Sequence, residues 1–195
     1  MNTLVIRPAL PADVPTILSF IRELALYERE PDAVLATEAD LLRDGWGLAA
    51  DGISPLSPTS SPDLSSRPER SVVERPAAGV APIRFNAVIA DHNGTPAGFA
   101  LYFTSYSTWR GHHGIRLEDI YVTPHLRRQG IGKALLAHLA RIAEDQGCPR
   151  LEWDVLEWNA PAIAVYEAIG AKILTEWRIM RLSDEALQTL ATKSK

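Results

Sequence analysis

Two hydrophobic periods alternate along the chain. Residues 4–9, "LVIRPA", read as a strand that Pro8 stops. In residues 12–30, Ile17, Leu18, Ile21, Leu24 and Leu26 form a helical stripe, with Asp13 placed to cap it and Pro15 in its first turn. Residues 37–47, "TEADLLRDGWG", predict a shorter helix capped by Thr37 and punctuated by Gly45 and Gly47. Residues 84–91 and 97–106 are strand-like runs around Asn93-Gly94, a hairpin signal. A third strand, residues 114–124, ends at Pro124. In residues 130–148, Leu135, Leu136, Leu139, Ile142 and Ala143 share one side of a long helix, and Gly147 suits its C-terminal cap. A strand over 150–158 follows, then a helix over 159–171 with Asn159 as cap and Pro161 in its first turn. Residues 171–182 predict a final strand, and 183–195 a short helix and tail. The order β-α-α-β-β-β-α-β-α-β predicts one α/β domain around a mixed sheet.

Residues 49–82 break this rhythm. They are dense in Pro, Ser and Gly and nearly free of aromatics, too little apolar surface to offset the entropy of ordering them. They read as a long surface insertion within the domain, mobile or disordered.

Composition narrows the function. A chain that is 46% hydrophobic can build a core, and a net charge of -4 argues against general affinity for nucleic acid or anionic membrane. The single Cys148 excludes an internal disulfide framework and a cysteine-based zinc site. No apolar run approaches the ~20 residues of a membrane span, and the first residues lack a secretory pattern, so a cytoplasmic protein is expected. His112 and His113 stand together between glycines without a second cluster at ligand spacing, so no metal is expected.

The chemistry concentrates in "LEDIYVTPHLRRQGIGKALL", residues 117–136. After a strand, Gly130 and Gly132 open a helix whose first amides lack intrahelical partners and carry partial positive charge. Arg127, Arg128 and Lys133 add formal positive charge, which suits a diphosphate. A Walker A loop would need Gly at Arg127 and Ser or Thr at Ala134, and a dinucleotide fingerprint would need Gly at Leu135; neither fits.

Arg127-Arg128-Gln129-Gly130-Ile131-Gly132 resembles the pyrophosphate motif (Q/R-x-x-G-x-G/A) of the GNAT superfamily of N-acetyltransferases. With "VIRPA", "ELALYE", "LLRDGWG", "RLEDIYV", "EWNAPAIAVYEAIGA" and "EWRIMRL", the chain is similar to the diamine (spermidine/spermine) and thialysine acetyltransferase group over nearly all its length outside 49–82. The resemblance implies a mixed central β-sheet splayed in the middle and flanked by helices, acetyl-CoA as acetyl donor, and a homodimer. It implies that Arg127, Arg128, Gln129, Gly130, Ile131, Gly132 and Lys133 hold the pyrophosphate. Backbone amides of Ile120, Tyr121 and Val122 would hold the acetyl carbonyl and pantetheine arm, with Asn159 and Ala162 also beside the cofactor.

Acetyl transfer to an amine needs a neutral nucleophile, a polarised thioester and a protonated leaving thiolate. The resemblance assigns Tyr166 as the acid for the thiolate; a phenol is protonated at neutral pH, as that role requires. It assigns Glu118 to the amine site, as a base acting through water. Strand alternation puts Glu118 and Asp119 on opposite faces unless the backbone bulges. Tyr27 and Glu28 match a substrate-contacting pair of the group. Glu152 and Asp154 share one strand face and suit a distal ammonium, at positions where the polyamine enzymes tend to be less acidic. Glu176 is a further acidic candidate. The expected activity is acetyl transfer to a small cationic amine, a diamine, polyamine or lysine analogue. The alternatives are another small amine or amino acid as acceptor, or a non-catalytic acetyl-CoA sensor.

Overall fold

The computed structural model describes residues 3–49, 52, 54 and 82–193; most of the predicted insertion lies outside them. The chain divides into two compact units, Met1–Asp154 and Val155–Lys195.

The first unit is built on a five-stranded sheet in sequence order: β1 (Leu4–Pro8), β2 (Asn86–His92), β3 (Thr95–Ser107), β4 (His112–Val122) and β5 (Leu151–Glu152). The first three pairings are antiparallel and β4–β5 is parallel, so the sheet is mixed. The β2–β3 hairpin turns at Asn93 and Gly94 with φ of 54° and 79°, the left-handed pair this turn demands. Helix α1 (Val14–Tyr27) buries Val14, Ile17, Leu18 and Phe20, the face its stripe predicts. These side chains form one core with Leu41 and Leu42 of α2 (Glu38–Trp46) and with Ile89, Phe99, Leu101 and Tyr121 of the sheet. Strand alternation turns Val88 and Ala100 to the other face, and α3 (Ile131–Asp145) buries Leu135, Leu136 and Leu139.

Thr37 caps α2 as expected: its hydroxyl accepts from the Asp40 amide at 3.2 Å, and the Asp40 carboxylate accepts from the Thr37 amide at 3.0 Å. The expected cap by Asp13 is corrected. Its carboxylate turns back to accept from the Leu10 amide (2.7 Å) and from both terminal nitrogens of Arg7 (2.7 and 2.9 Å). Arg7 Nε donates to Asp91 at 2.7 Å, which ties β1, β2 and the turn before α1 together.

The second unit carries α4 (Ala160–Ala168) and α5 (Asp184–Thr192). Asn159 caps α4, and its side-chain oxygen accepts from the Ala162 amide at 3.4 Å. The strand expected over 171–182 is absent. A strand exists only against a neighbour that accepts its backbone bonds, and here Trp177, Ile179 and Met180 stay exposed. The strand expected over 150–158 shrinks to Leu151–Glu152 for the same reason. No described helix is long and apolar enough to cross a membrane.

Candidate active site

The site begins where the sheet opens. Strand β5 meets β4 only at Ile115↔Leu151 and Arg116↔Glu152, so the expected splay is present and β4 shows an open edge from Leu117 onward. On the other side β4 pairs with β3 as far as Val122, and the Thr123 amide donates to Ala97 O at 2.9 Å. Antiparallel strands alternate in the direction of their polar groups. Thr123, Tyr121 and Asp119 therefore bond toward β3, while Ile120 and Val122 direct theirs to the open edge. This corrects the expectation for Tyr121. Its carbonyl lies against Gly98, where a Cβ would clash with it, and its ring is buried on Phe20 at 5.6 Å. Ile120 and Val122 offer backbone groups to a ligand on that edge.

An anion cradle follows β4. A 3-10 turn (Pro124–Leu126) leads to Arg127 in extended conformation. Arg128 then takes φ of 62°, an uncommon conformation for a residue with a side chain, and Gly130 takes φ of 83° as cap of α3. No side chain caps α3; Ala134 is the first amide bonded to the turn, at 2.9 Å to Gly130 O. The amides of Ile131, Gly132 and Lys133 thus lack intrahelical acceptors. A Cβ on Gly130 would meet nothing within 4 Å, so the turn is open on that side. Bare amides, a left-handed turn and the exposed side chains of Arg128, Gln129 and Lys133 fit a pyrophosphate. Ile131 can contribute only its amide, because its side chain is buried in the core.

Arg127 holds the motif's first position, yet its guanidinium is engaged within the protein. Nε donates to Val122 O at 2.9 Å. Its carbon lies 4.7 Å from the centre of the Tyr27 ring and 5.6 Å from that of Tyr121. The Tyr121 hydroxyl donates to Glu23 at 2.6 Å. Burial and the Glu23 carboxylate push the Tyr121 phenol up to about 12. Glu23 escaped the sequence reading, because its partner Tyr121 lies 98 residues away and no local spacing marks the pair.

The acidic side of the site is made by a bulge. Leu101 pairs with Asp119 and Tyr102 with Leu117, so Glu118 has no counterpart on β3. The extra residue reverses the alternation. Tyr121 belongs to the core under α1, while Leu117, four positions earlier, is buried outside it. Asp119 shares the phase of Tyr121 and so faces α1, where Glu28 caps the C-terminal end. Burial first, then the charges of Glu118 and Glu28, raise the Asp119 carboxyl to about 6. Burial raises the Glu28 carboxyl as well. Glu118 itself is exposed. The bulge therefore lets neighbours 118 and 119 act in one acidic cluster with Glu28, beside Tyr27.

Glu152 and Asp154 do not supply free charge. Glu152 pairs with Arg150 at 2.8 Å, and Asp154 pairs with Arg116. Each of the two carboxylates expected to meet a distal ammonium has a guanidinium partner within the first unit. In the second unit Tyr166 is half-buried on α4, two turns beyond Asn159, and Glu176 is exposed. Asn159 and the Ala162 amide are bonded to each other rather than turned outward.

An open strand edge leads into an anion cradle, with carboxylates at the other end, the layout of an enzyme site for an anionic cofactor and a cationic acceptor. The comparisons give the class a family. The acetyltransferase (GNAT) family model matches residues 58–171, and the chain belongs to that family. It is 37% identical to the thialysine N-epsilon-acetyltransferase of Bos taurus, over 99% of this chain and 100% of that protein. It is 34% identical to the L-ornithine N5-acetyltransferase of Arabidopsis thaliana, over 95% of this chain and 86% of that protein. Among solved structures, an aminoglycoside N-acetyltransferase in complex with CoA superposes with a TM-score of 0.60 at 18% identity, covering 95% of this chain and 97% of that one. This protein is an N-acetyltransferase, and its acetyl donor is acetyl-CoA.

Proposed function

We propose that the enzyme transfers the acetyl group directly to a primary amine of a small cationic acceptor: a diamine, a polyamine or a lysine analogue such as thialysine. The observation that carries this reading is the gathering of Glu28, Glu118 and Asp119 at the bulge of β4. Three carboxylates in one cluster repel one another, and an acceptor with more than one ammonium relieves that repulsion. The names of the two relatives, acetylating thialysine and ornithine, support the same class.

Bound acetyl-CoA supplies a thioester-activated acetyl group. The amides of α3 hold its anionic end, and the groups of Ile120 and Val122 on the open edge orient the arm and carbonyl. The carboxylates bind the acceptor as an ammonium, and Glu118, at the exposed end of the cluster, accepts a proton through water. The neutral nitrogen forms the C–N bond as the C–S bond breaks, the Tyr166 hydroxyl protonates the departing sulfur, and the proton that the new amide nitrogen sheds returns through water to the Tyr166 oxygen. Direct transfer agrees with the position of the sole cysteine. Cys148 follows the end of α3, about 22 Å along that helix from the cradle, too far to carry the acetyl group. A homodimer, located in the cytoplasm, completes the proposal; the exposed Trp177, Ile179 and Met180 offer apolar surface to a second copy.

The test is a panel of amines assayed with acetyl-CoA, using the parent chain and Tyr166→Phe. Acceptors with a second positive group should give the highest kcat/KM. Tyr166→Phe should lower kcat about a hundredfold on all of them with CoA binding unchanged. A strict preference for monoamines would sink the acceptor reading, and unchanged turnover in the variant would remove Tyr166 from its role.

A further inference from the structure

The first residue of the glycine motif has an engagement that phosphate binding does not explain. The Arg127 guanidinium donates through Nε to Val122 O (2.9 Å) and stands over the rings of Tyr27 (4.7 Å) and Tyr121 (5.6 Å). Each contact anchors it to a different part of the first unit. Val122 lies at the end of the open β4 edge, Tyr27 closes α1 beside Glu28, and Tyr121 is bolted to α1 through Glu23 (2.6 Å).

We propose that Arg127 is a positioning residue that locks the amine-side wall to the cofactor-side strand edge. It saturates the Val122 carbonyl, which otherwise has no strand neighbour to donate to it. It fixes the Tyr27 ring by cation–π contact, and with it the end of α1 that carries Glu28. A planar, delocalised guanidinium can do both at once: it donates a hydrogen bond in its plane and stacks across it. A lysine ammonium cannot. The anion cradle is left to the α3 amides, Arg128 and Lys133. This inference rests on the amine site proposed above, at Tyr27 and Glu28.

The experiment separates the two roles by binding as well as by turnover. Arg127→Lys keeps the charge and loses the planar fork. CoA and pantetheine, which lacks the pyrophosphate, are titrated calorimetrically into the variant, and KM for the amine is measured in parallel. The proposal expects CoA affinity within about threefold of the parent, an unchanged ratio of CoA to pantetheine affinity, and an amine KM about tenfold higher. Tyr27→Leu should raise the amine KM similarly, and the double variant should be no worse than either single one. It also covers the case in which Arg127→Lys does not fold, since it leaves the Arg127–Val122 bond in place.

A tenfold loss of CoA affinity with pantetheine unaffected would make Arg127 a phosphate ligand and overturn the proposal. Glu28→Gln separates this failure from failure of the site. If it raises the amine KM while Arg127→Lys and Tyr27→Leu do not, only the positioning role falls. If none of the three moves it, the amine site and the positioning role fall together.

Discussion

Asp119 shows how much a single backbone insertion can change. In a regular strand it and Glu118 would point apart, and only one could meet the acceptor. The bulge places Asp119 on the α1 face, half-buried, with Glu28 and Glu118 as its charged neighbours. Its carboxyl rises to about 6, above the ordinary aspartate value of 3.8. A group with a raised folded-state pKa favours the fold when protonated. That contribution is complete below the ordinary value and is lost as pH rises through about 6. Asp119→Asn should therefore stabilise the protein at pH 8, by at most about 3 kcal/mol, and leave it unchanged near pH 3. The parent's kcat/KM should rise around pH 6, as acceptor binding gains an ionised carboxylate, and the same variant should lose that rise. Chemical denaturation at the two pH values and a pH–rate profile check both. Equal stability of parent and variant at pH 8 would mean that Asp119 carries no such penalty.

At the scale of elements, the cradle and the strand edge rest on backbone conformation more than on side chains. Gly130 stands at φ of 83° with open space around the position of a Cβ. Gly130→Val would strain the turn by about 1–2 kcal/mol and fill the space the anion needs. The expected result is a folded protein that binds CoA at least tenfold more weakly. Tight binding by a folded Gly130→Val would place the anion elsewhere. The helices were legible from sequence because an apolar stripe and its caps lie within a few turns: α1, α2, α3 and α4 all fall within their predicted spans. The strands after α3 were not. The alternation in 171–182 states that a strand could form, but pairing depends on an edge contributed from elsewhere, which local pattern cannot supply.

Across the first unit as a whole, long-range charge pairs close the fold. Arg7 on β1 reaches Asp13 before α1 and Asp91 on β2, both mostly buried. Its hydrogen bonds hold the Asp13 carboxyl below its ordinary value. That contribution is present above about pH 4 and is lost as pH falls through the lowered folded value. Arg7→Met should cost about 2 kcal/mol at pH 7 and much less near pH 2. Urea midpoints at both pH values measure this, and an equal loss at both would assign the effect to packing.

The sequence by itself determined the α/β order as far as α4, the hairpin at Asn93-Gly94, the caps of α2 and α4 and the glycine turn with its positive flank. Each depends on residues within a few positions of one another. It also picked out Glu28, Glu118, Asp119, Glu152 and Asp154 as acidic candidates, and the relatives confirm the enzyme class that its motifs suggested. Only the tertiary structure decided which of those residues can act together. Arg116 and Arg150 neutralise Asp154 and Glu152, Arg127 is committed to Val122 and Tyr27, and the bulge brings Asp119 beside Glu28. Arg116–Asp154 and Arg127–Tyr27 join residues far apart in the chain, and the Asp119 cluster turns on one unpaired residue in a ladder; neither leaves a periodic trace in the sequence.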